Sequence, residues 1–443
     1  MFQMKNPWVA GTFWIVLYLL VTLSPLLILL IHPAPGGRGF WIEFSAALGY
    51  VGLAMMMLQF ALTARFDAIA APYGIDIVLQ YHRYITQVAF ALILIHPIIL
   101  FFQDAEYLRL LNFFEAPWRA RFAVISTISL ILLVVTSLWR EKLKLNYEVW
   151  RTSHGILAVA TVGLGLAHAF GVNYYLALPW KAMLWILLAL LAFGSLIYVR
   201  LIKPWLMMQK PYRVETVVPQ RGDVYTLVLR PQGHEGIRFL PGQFAWLTLD
   251  RSPYRIQEHP FSFSSNGDRG DQVALTIKAV GDFTNTIKNV QPGTKAFLDG
   301  PHGAFTPDRF DCAGLVLIAN GVGVTPMISI MITLAERGDH RPIRLIYANG
   351  SWDDVAFRED LEYLNKRLDS LTVTHVIKEP PEDWAGESGY VDKDLLARHI
   401  PDNREGWRYF LCGSPRFLDE AEKALHELKV PAKYIHMEHF NLV

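Results

Sequence analysis

The chain has 443 residues, and its 41 Lys and Arg against 40 Asp and Glu leave a net charge of only +1. A protein with this balance offers nucleic acid no long-range attraction, so we expect no nucleic-acid partner. The charges are unevenly spread, because 21 of the 81 lie in residues 1–202 and the other 60 in residues 203–443. The charge-poor first part excludes a single soluble globular fold, and its apolar composition excludes a disordered chain. The sequence predicts a membrane segment followed by a water-soluble segment.

Six runs without Asp, Glu, Lys or Arg occupy the first part, and each is about long enough to cross a hydrocarbon core of roughly 30 Å. They cover residues 11–31, 44–62, 84–102, 122–139, 152–180 and 182–199. The first run is too long for a signal-peptide core and shows no clear cleavage site, so we expect it to remain as a membrane helix. The sequence predicts an all-α domain of six membrane-spanning helices over residues 1–203.

Lys and Arg residues between the runs indicate the orientation, because short loops rich in them stay in the cytoplasm. With both termini inside, ten lie on the inner side: Lys5, Arg65, Arg83, Arg140, Lys142, Lys144, Arg151, Arg200, Lys203 and Lys210. Five lie on the outer side: Arg38, Arg109, Arg119, Arg121 and Lys181. We expect a multi-pass protein of the inner (plasma) membrane, surrounded by lipid. Its two cysteines, Cys312 and Cys412, then lie in the cytoplasm as unpaired thiols.

Four histidines lie within or at the edge of the third and fifth predicted spans. His82 and His96 are 14 residues apart, and so are His154 and His168. Fourteen residues return to within about 40° of the starting direction and rise by about 21 Å, so each pair lies on one helix face across most of a bilayer. Both spans are odd-numbered and run in the same direction. We therefore expect His82 at the depth of His154 and His96 at the depth of His168.

Two pairs of imidazoles at matched depths suit two b-type haems stacked across the membrane, with each iron held by one histidine from each helix. Polar histidines packed in a bundle and bonded to neighbouring hydroxyls are one alternative. A transition-metal transport site is another, but it would need ligands at a single depth with carboxylates or thiols nearby. Because ionisable side chains within a membrane are mostly functional, we favour iron ligation by His82, His96, His154 and His168.

The second part of the chain changes pattern twice. From about Tyr212 to Asp308, short β-rich runs separated by Gly and Pro predict a small antiparallel barrel. The runs are RVETVV, YTLVLR, QFAWLTL, VALTIKAV and KAFLDG. From Leu315, the strands LVLIA, IRLIYA, TVTHVI and YFLCG alternate with helical stretches at residues 325–337, 355–368 and 415–428. We therefore expect a β-barrel domain over residues 204–308 and an α/β nucleotide-binding domain over residues 309–443.

Three motifs mark the predicted barrel. The run HPFSFSS at residues 259–265 follows the turn PGQF at residues 241–244, GDFTNT spans residues 281–286, and DGPHG spans residues 299–303. They resemble the flavin-binding strand, the pyrophosphate turn and the closing turn of the ferredoxin reductase-like family. The resemblance implies FAD binding, with glycines where the backbone approaches phosphate. The residues it assigns to FAD are His259, Pro260, Phe261, Ser262, Ser265, Lys278, Gly281, Thr284 and Gly303.

The segment GVGVTP at residues 321–326 follows a buried strand and opens a helix. Gly321 and Gly323 allow a tight turn close to a pyrophosphate, while Thr325 can cap the helix and Pro326 fits its first turn. This segment and the later LCGSP at residues 411–415 resemble the nicotinamide-binding motifs of the same family. The resemblance assigns the nucleotide to Gly321, Gly323, Thr325, Pro326, Cys412 and Gly413.

The whole arrangement of six spans, four histidines, flavin barrel and nucleotide domain resembles the NADPH oxidase and ferric reductase superfamily, in particular the compact prokaryotic NADPH oxidases. The resemblance implies an NAD(P)H oxidase that passes electrons through FAD, an inner haem and an outer haem, without requiring a partner subunit. It also implies catalytic roles: Ser262 lies near the reactive flavin nitrogen, Cys412 lies near the nicotinamide, and Phe440 covers the flavin until the nicotinamide displaces it.

The terminal acceptor is open at this stage. Animal superoxide-generating members carry a further histidine one turn beyond the outer ligand, where this chain has Leu100, and an arginine in the second span, where it has none. Prokaryotic relatives can lack both groups, so we favour oxygen, which gives superoxide. A ferric chelate attracted by Arg109, Arg119 and Arg121 is one alternative. Electron donation to a periplasmic protein and a haem-free metal transporter are the others.

The choice between NADPH and NADH is also open. After the second strand of the nucleotide domain the chain reads NGSWDD at residues 349–354, where an arginine would favour the 2′-phosphate of NADPH. The first arginine beyond this point is Arg358. Ser351 can donate a hydrogen bond to a phosphate, whereas Asp353 and Asp354 repel one.

Overall fold

The computed structural model describes residues 7–31, 37–70, 73–255 and 258–439. The chain divides into two compact units, Met1–Pro204 and Trp205–Val443. The first unit is helical, and the second contains two β-sheets with helices. The division falls one residue after the predicted end of the membrane domain, whereas the boundary expected at residue 308 stays a prediction.

The described part of the first unit contains the helices α1 (Pro7–Ile31), α2 (Phe40–Leu62), α3 (Asp67–Ala70), α4 (Ile75–Gln103), α5 (Trp118–Leu138), α6 (Tyr147–Val172) and α7 (Pro179–Ile197). The helix α8 (Lys203–Met208) begins in the first unit and ends in the second. Among the described residues, six are long and apolar enough to cross a membrane, if α7 is counted with its continuation into α8. The prediction of a six-helix membrane domain is confirmed, and the chain is a multi-pass membrane protein.

Two helix ends differ from the charge-free runs. α4 begins at Ile75 and includes Asp76 and Arg83, because a helix continues into the headgroup region, where polar side chains are solvated. α6 ends at Val172, and the next residue, Asn173, adopts the left-handed conformation with φ 52°. The last residues of the fifth run therefore lie beyond the helix.

The helix α2 lies at the centre of the bundle, where it packs against α1, α4, α6 and α7, while α5 pairs with α6. Eleven of its 23 residues are buried, against three of the 29 residues of α4. Its buried residues include the polar side chains of Ser45 and Gln59. Because a polar side chain in an apolar environment needs a hydrogen-bond partner, these two residues mark points of contact with neighbouring helices.

The first sheet of the second unit is antiparallel. Its strands are β1 (Tyr212–Pro219), β2 (Val224–Pro231), β3 (Phe244–Leu249), β4 (His259–Ser262), β5 (Val273–Lys278) and β6 (Lys295–His302), in the order β4-β3-β6-β1-β2-β5. A bridge between Phe263 and Leu275 joins the two edges, so the sheet curls around a core that contains Leu227, Leu247 and Phe263. The predicted antiparallel barrel is confirmed in this form.

The second sheet is parallel throughout. Its strands are β7 (Gly314–Asn320), β8 (Ile343–Ser351), β9 (Leu371–Glu379), β10 (Glu387–Ser388), β11 (Trp407–Gly413) and β12 (Ile435–His439), in the order β10-β9-β8-β7-β11-β12. The helices of this region are α9 (Val324–Glu336), α10 (Arg358–Arg367), α11 (Lys393–His399) and α12 (Pro415–Glu427). Buried apolar clusters lie on both faces of the sheet, which confirms the α/β prediction. The short elements β10 and α11 had no clear sequence signal.

Candidate functional site: paired histidines and a nucleotide loop

The structure brings the four histidines of α4 and α6 together in two pairs. The ring centres of His82 and His154 are 6.4 Å apart, and those of His96 and His168 are 6.5 Å apart. His82 and His154 both occupy the eighth position of their helices, which run in the same direction. The common spacing of 14 residues then brings the second pair together as well.

Each histidine uses its Nδ1 atom in a hydrogen bond to another helix. The contacts join His82 to Gln59 Oε1 at 3.0 Å, His154 to Ser137 Oγ at 3.1 Å, His96 to Ser45 O at 2.9 Å and His168 to Arg119 O at 2.8 Å. A carbonyl oxygen only accepts, so the proton of His96 and of His168 lies on Nδ1 and the lone pair lies on Nε2. Metal-ligating histidines are held in this way, with the second nitrogen donating to a neighbouring group.

The separation within each pair fits a single metal ion. Two imidazoles bound to one ion place their nitrogens about 4 Å apart, since each bond is about 2 Å long. Roughly 1 Å more on each side, from ordinary bond lengths, reaches the ring centres and gives about 6 Å. The observed 6.4 and 6.5 Å agree with an iron held between the two rings. Among the described residues, no cluster of three or more His, Cys, Asp or Glu side chains suitable for a metal is present.

Sequence reasoning missed the partners of these histidines, above all Ser45 and Gln59 of α2. They are 0% and 4% exposed, and each bonds to one histidine of α4. They are also 14 residues apart, which is the interval between His82 and His96. Buried polar residues that repeat this interval on a second apolar helix were the signal that could have identified them.

The predicted flavin residues of β4 include a buried hydroxyl that has no partner. Ser262 is 3% exposed, and no hydrogen bond reaches its Oγ from any described residue. Because such an atom is costly to bury, it suits a hydrogen bond to a bound cofactor. In the same strand His259 stacks on Phe283 with ring centres 3.9 Å apart, and Phe261 lies 6.2 Å from that ring. Pro260 separates the two aromatic residues.

The predicted pyrophosphate turn and the predicted closing turn of the barrel are held by internal hydrogen bonds. After Lys278, which ends β5, the Oγ1 of Thr284 accepts hydrogen bonds from the backbone amides of Val280 and Gly281 at 3.0 and 2.8 Å. The carbonyl of Gly303 accepts a hydrogen bond from Gln243 Nε2 at 3.0 Å. These contacts shape the turns, and the predicted phosphate contacts of Gly281 and Thr284 and the predicted FAD contact of Gly303 stay predictions.

The predicted nucleotide loop lies where two neighbouring parallel strands end. Gly321 and Gly323 follow β7, and Cys412 and Gly413 end β11. A Cβ atom at Gly323 would lie 2.2 Å from the backbone oxygen of Cys412, so only glycine allows the two strand ends to meet. The carboxyl ends of parallel strands are the usual position of a bound ligand in such sheets.

Thr325 does not cap the helix as expected. The turn Gly321–Gly323 runs directly into α9, so Gly323 occupies the N-cap position and Thr325 lies one residue inside the helix. Its hydroxyl donates to the carbonyl of Val322 at 2.7 Å. Pro326 lies in the first turn, as predicted. The prediction erred because the loop continues as a helical turn, which moves the start of the helix towards the N-terminus.

The thiol of Cys412 is buried in the core of the nucleotide region, with 0% exposure. Burial raises its pKa well above the ordinary value, and the carboxylate of Glu438 raises it further. A neutral packed thiol is therefore the form present at neutral pH, and its predicted role near the nicotinamide stays a prediction. Phe440 lies outside the described residues.

The helix α9 connects the nucleotide loop to the flavin barrel through three successive turns. Ser329 Oγ donates to the carbonyl of Ser265 at 2.9 Å, and Thr333 Oγ1 accepts from the amide of Gly267 at 3.0 Å. Arg337 continues the same face, with hydrogen bonds of 2.7 and 2.8 Å to Asp268 and of 2.8 and 2.9 Å to Asp308. These contacts fix the helix that follows the nucleotide loop against the segment that follows the flavin strand.

The segment after β8 is closed by its own hydrogen bonds. The backbone amide and the hydroxyl of Ser351 both donate to Asp354 Oδ2, at 3.2 and 2.8 Å. The guanidinium of Arg358 lies 3.9 Å from the centre of the Trp352 ring and donates to the carbonyl of Trp352. Ser351 and Arg358, the residues that the sequence offered for binding a phosphate, thus contact protein groups.

Three family models match the chain in sequence. A ferric reductase-like transmembrane component matches residues 48–165, an FAD-binding domain matches residues 207–305, and an oxidoreductase NAD-binding domain matches residues 317–423. The first match contains His82, His96 and His154 and ends three residues before His168. The second match contains all six strands of the barrel, and the third runs from within β7 into α12. Their order is the order expected from the sequence motifs.

Similar proteins cover the second part of the chain. NADH-cytochrome b5 reductase 1 of Aspergillus oryzae is 29% identical over 41% of this chain and 64% of its own length. The same enzyme of Lodderomyces elongisporus is 32% identical over 36% of this chain and 55% of its length. The chain thus spans less than two thirds of either relative. A solved structure, the cytochrome b5 reductase domain of Ulva prolifera nitrate reductase, is 21% identical with a TM-score of 0.47, over 52% of this chain and 97% of that domain.

The three family matches, taken with the six membrane helices that precede a flavin barrel and a parallel nucleotide sheet, match the superfamily of NADPH oxidases and ferric reductases, with a ferredoxin reductase-like module as the second part of the chain.

Proposed function

We propose that this chain is a membrane oxidoreductase that carries electrons from NAD(P)H through FAD and two b-type haems to oxygen on the outer side, with superoxide as the product. The observation that carries the proposal is the pairing of four imidazoles, each held through Nδ1 and each left with a lone pair on Nε2. His82 and His154 would hold the inner haem, and His96 and His168 the outer one. A haem bound by these imidazoles would supply one-electron transfer.

The soluble module would hold FAD and the nucleotide. FAD supplies the change from two-electron hydride transfer to single electrons. The Ser262 hydroxyl is placed to bond the flavin, and the stacked rings of His259 and Phe283 offer a flat apolar surface. The α9 contacts orient the nucleotide loop, and Gly323 keeps that loop close to the end of β11. These residues position the reactants and provide no acid or base.

NADH is the donor that we propose as preferred. In dinucleotide-binding folds an acidic residue near the ribose favours NADH, and an arginine accommodates the 2′-phosphate of NADPH. Here Asp354 already receives both donors of Ser351, and Arg358 is stacked on Trp352. Arg221, which is near this segment, pairs with Glu359 at 2.6 Å. The segment therefore presents two carboxylates, those of Asp353 and Asp354, to a phosphate.

Oxygen is the acceptor that the outer residues support best. Arg121 donates to the carbonyls of Ala116 and Phe114, each at 2.8 Å, and Arg109 pairs with Glu106 at 2.8 Å. These two cations are engaged with protein groups, which weakens the case for an anionic chelate. A small neutral molecule needs no cationic site. Reduction of a ferric chelate stays the second candidate, because the membrane match is to a ferric reductase-like component.

The orientation belongs to the same proposal. The excess of Lys and Arg on one side of the spans supports an inner-membrane protein with the FAD and nucleotide regions in the cytoplasm. The outer haem would then lie on the side from which the acceptor approaches.

The test measures NADH and NADPH oxidation by the purified full chain in detergent, with cytochrome c as reporter. We expect a Soret band, two haems per chain and cytochrome c reduction that superoxide dismutase suppresses. Reduction of ferric citrate that dismutase leaves unchanged would favour the ferric route instead. A purified protein that retains its fold but binds no haem would refute the electron path and favour the metal transporter.

A further inference from the structure

We propose that Gln59 and Ser137 are positioning residues that set the reduction potential of the inner haem alone, whereas the outer haem is set by main-chain carbonyls. The proposal rests on the haem ligation proposed above. It follows from a chemical difference between the two pairs, since the inner histidines bond to side chains, whereas each outer histidine bonds to a backbone carbonyl, to which the Ser45 hydroxyl adds a second contact at His96. Substitution can remove the inner contacts but leaves the outer carbonyls in place.

Gln59 is held in one orientation. Its Nε2 donates to the carbonyl of Met55 at 2.9 Å and contacts Tyr18 Oη at 3.4 Å. The amide oxygen is therefore turned towards His82, whose Nδ1 donates to it at 3.0 Å. Because Gln59 is only 4% exposed, water does not readily replace this bond if the side chain is removed.

Ser137 holds the other inner histidine by a weaker acceptor. Its hydroxyl donates to the carbonyl of Leu133 at 2.7 Å, so the oxygen accepts from its neighbours. His154 Nδ1 lies 3.1 Å from that oxygen, and Trp150 Nε1 donates to it at 3.3 Å. Two donors share one hydroxyl oxygen, so this oxygen is a weaker acceptor for the Nδ1–H group of His154 than an amide carbonyl would be. The imidazole of His154 therefore gains less electron density from the hydrogen bond.

The outer histidines have fixed partners. His96 donates to the carbonyl of Ser45 and His168 to that of Arg119, and neither carbonyl depends on the side chain of its residue. The Ser45 hydroxyl adds a contact of 2.8 Å to His96 Nδ1. An imidazole whose Nδ1–H donates a hydrogen bond is a stronger ligand and favours ferric iron. The carbonyls therefore hold the outer potential steady, while the inner potential depends on residues 59 and 137.

The experiment titrates both haem potentials of the purified full chain, with EPR of the oxidised haems. His82→Ala first identifies the inner signal, which it removes. We expect Gln59→Glu to lower the inner potential and Gln59→Leu and Ser137→Ala to raise it, with the outer potential unchanged. A tenfold change in the relative stability of the two oxidation states would shift the potential by about 59 mV.

Ser126→Ala is the matched control, because Ser126 is also on α5 and donates to the carbonyl of Thr161 at 2.7 Å without contacting a histidine. It should leave both potentials unchanged. If Gln59→Leu loses haem, Ser137→Ala still decides the question. Unchanged potentials and EPR signals in Gln59→Glu and Ser137→Ala, with two haems bound, would overturn this proposal while leaving the electron path intact. A wild-type chain without haem would overturn both.

Discussion

The membrane unit, residues 1–204, and the soluble unit, residues 205–443, hold their functional groups by different means. In the first, the four imidazoles are single side chains on apolar helices, and each pair depends on two of them. In the second, the predicted nucleotide residues lie in turns where the backbone of Gly323 meets the backbone of Cys412. The histidine pairs therefore depend on the identity of their side chains, whereas the nucleotide loop depends on Gly323 having no side chain.

The largest effect is expected from removing one member of a histidine pair. His96→Ala or His168→Ala leaves one axial ligand for the outer haem, so we expect loss of that haem and of acceptor reduction. Flavin reduction by NADH, followed at the flavin absorbance, should continue and serves as the internal control. Two haems per chain with normal turnover in His96→Ala would show that the pair is not the ligand set.

Gly323→Ala tests the other side of the comparison. The added Cβ would approach the Cys412 oxygen to 2.2 Å, and overpacking of this kind costs about 1–3 kcal/mol. We expect flavin reduction by NADH to fall roughly 5- to 150-fold, with haem content unchanged. Gly194→Ala is the control, since Gly194 lies within the helix α7 of the membrane unit and no atom lies within 4 Å of its Cβ position. Equal effects in both variants would remove the distinction between the two units.

Asp354→Asn addresses donor choice, which we expect to depend on charge. Wild-type kcat/KM should be higher for NADH than for NADPH. Removing a like charge near a phosphate changes the free energy by about 1 kcal/mol in water, so the preference should fall roughly fivefold. Asp369→Asn is the matched control, because Asp369 precedes the N-terminal end of β9, whereas Asp354 follows the C-terminal end of β8. A wild-type preference for NADPH would contradict the proposed role of this segment.

The smallest effect is expected at Cys412, whose side chain is buried in the soluble unit rather than exposed to a ligand. Its raised pKa keeps the thiol protonated in the folded protein, whereas the unfolded thiol ionises as the pH passes its ordinary value. Stability from this group is therefore present below that pH and lost as the pH rises. Chemical unfolding of the full chain from pH 7 to 10 should show a shallower decline for Cys412→Ala. An identical decline in the free energy of unfolding would show that the thiol is exposed to water in the folded protein.

Much of the membrane site could be predicted from the sequence, because few polar residues lie in the spans and their intervals are readable. The positions of His82 and His96 follow from helix geometry alone. The carbonyl partners of His96 and His168 could not be predicted, since every helical residue has a carbonyl and only the packing of the helices decides which one a histidine meets. In the soluble unit the motifs located the loop, but the start of α9 depended on how residues 321–323 fold, and the buried state of Cys412 depended on tertiary packing.

The matching intervals on α2 and α4 limit how the length of this protein can vary. One residue inserted between Ser45 and Gln59 turns the helix by about 100° and advances it by about 1.5 Å, so only one of them could still face its histidine. The same holds between His82 and His96. Insertions and deletions in natural variants should therefore collect in connections such as residues 139–146 and 173–178, while these two intervals keep a constant length.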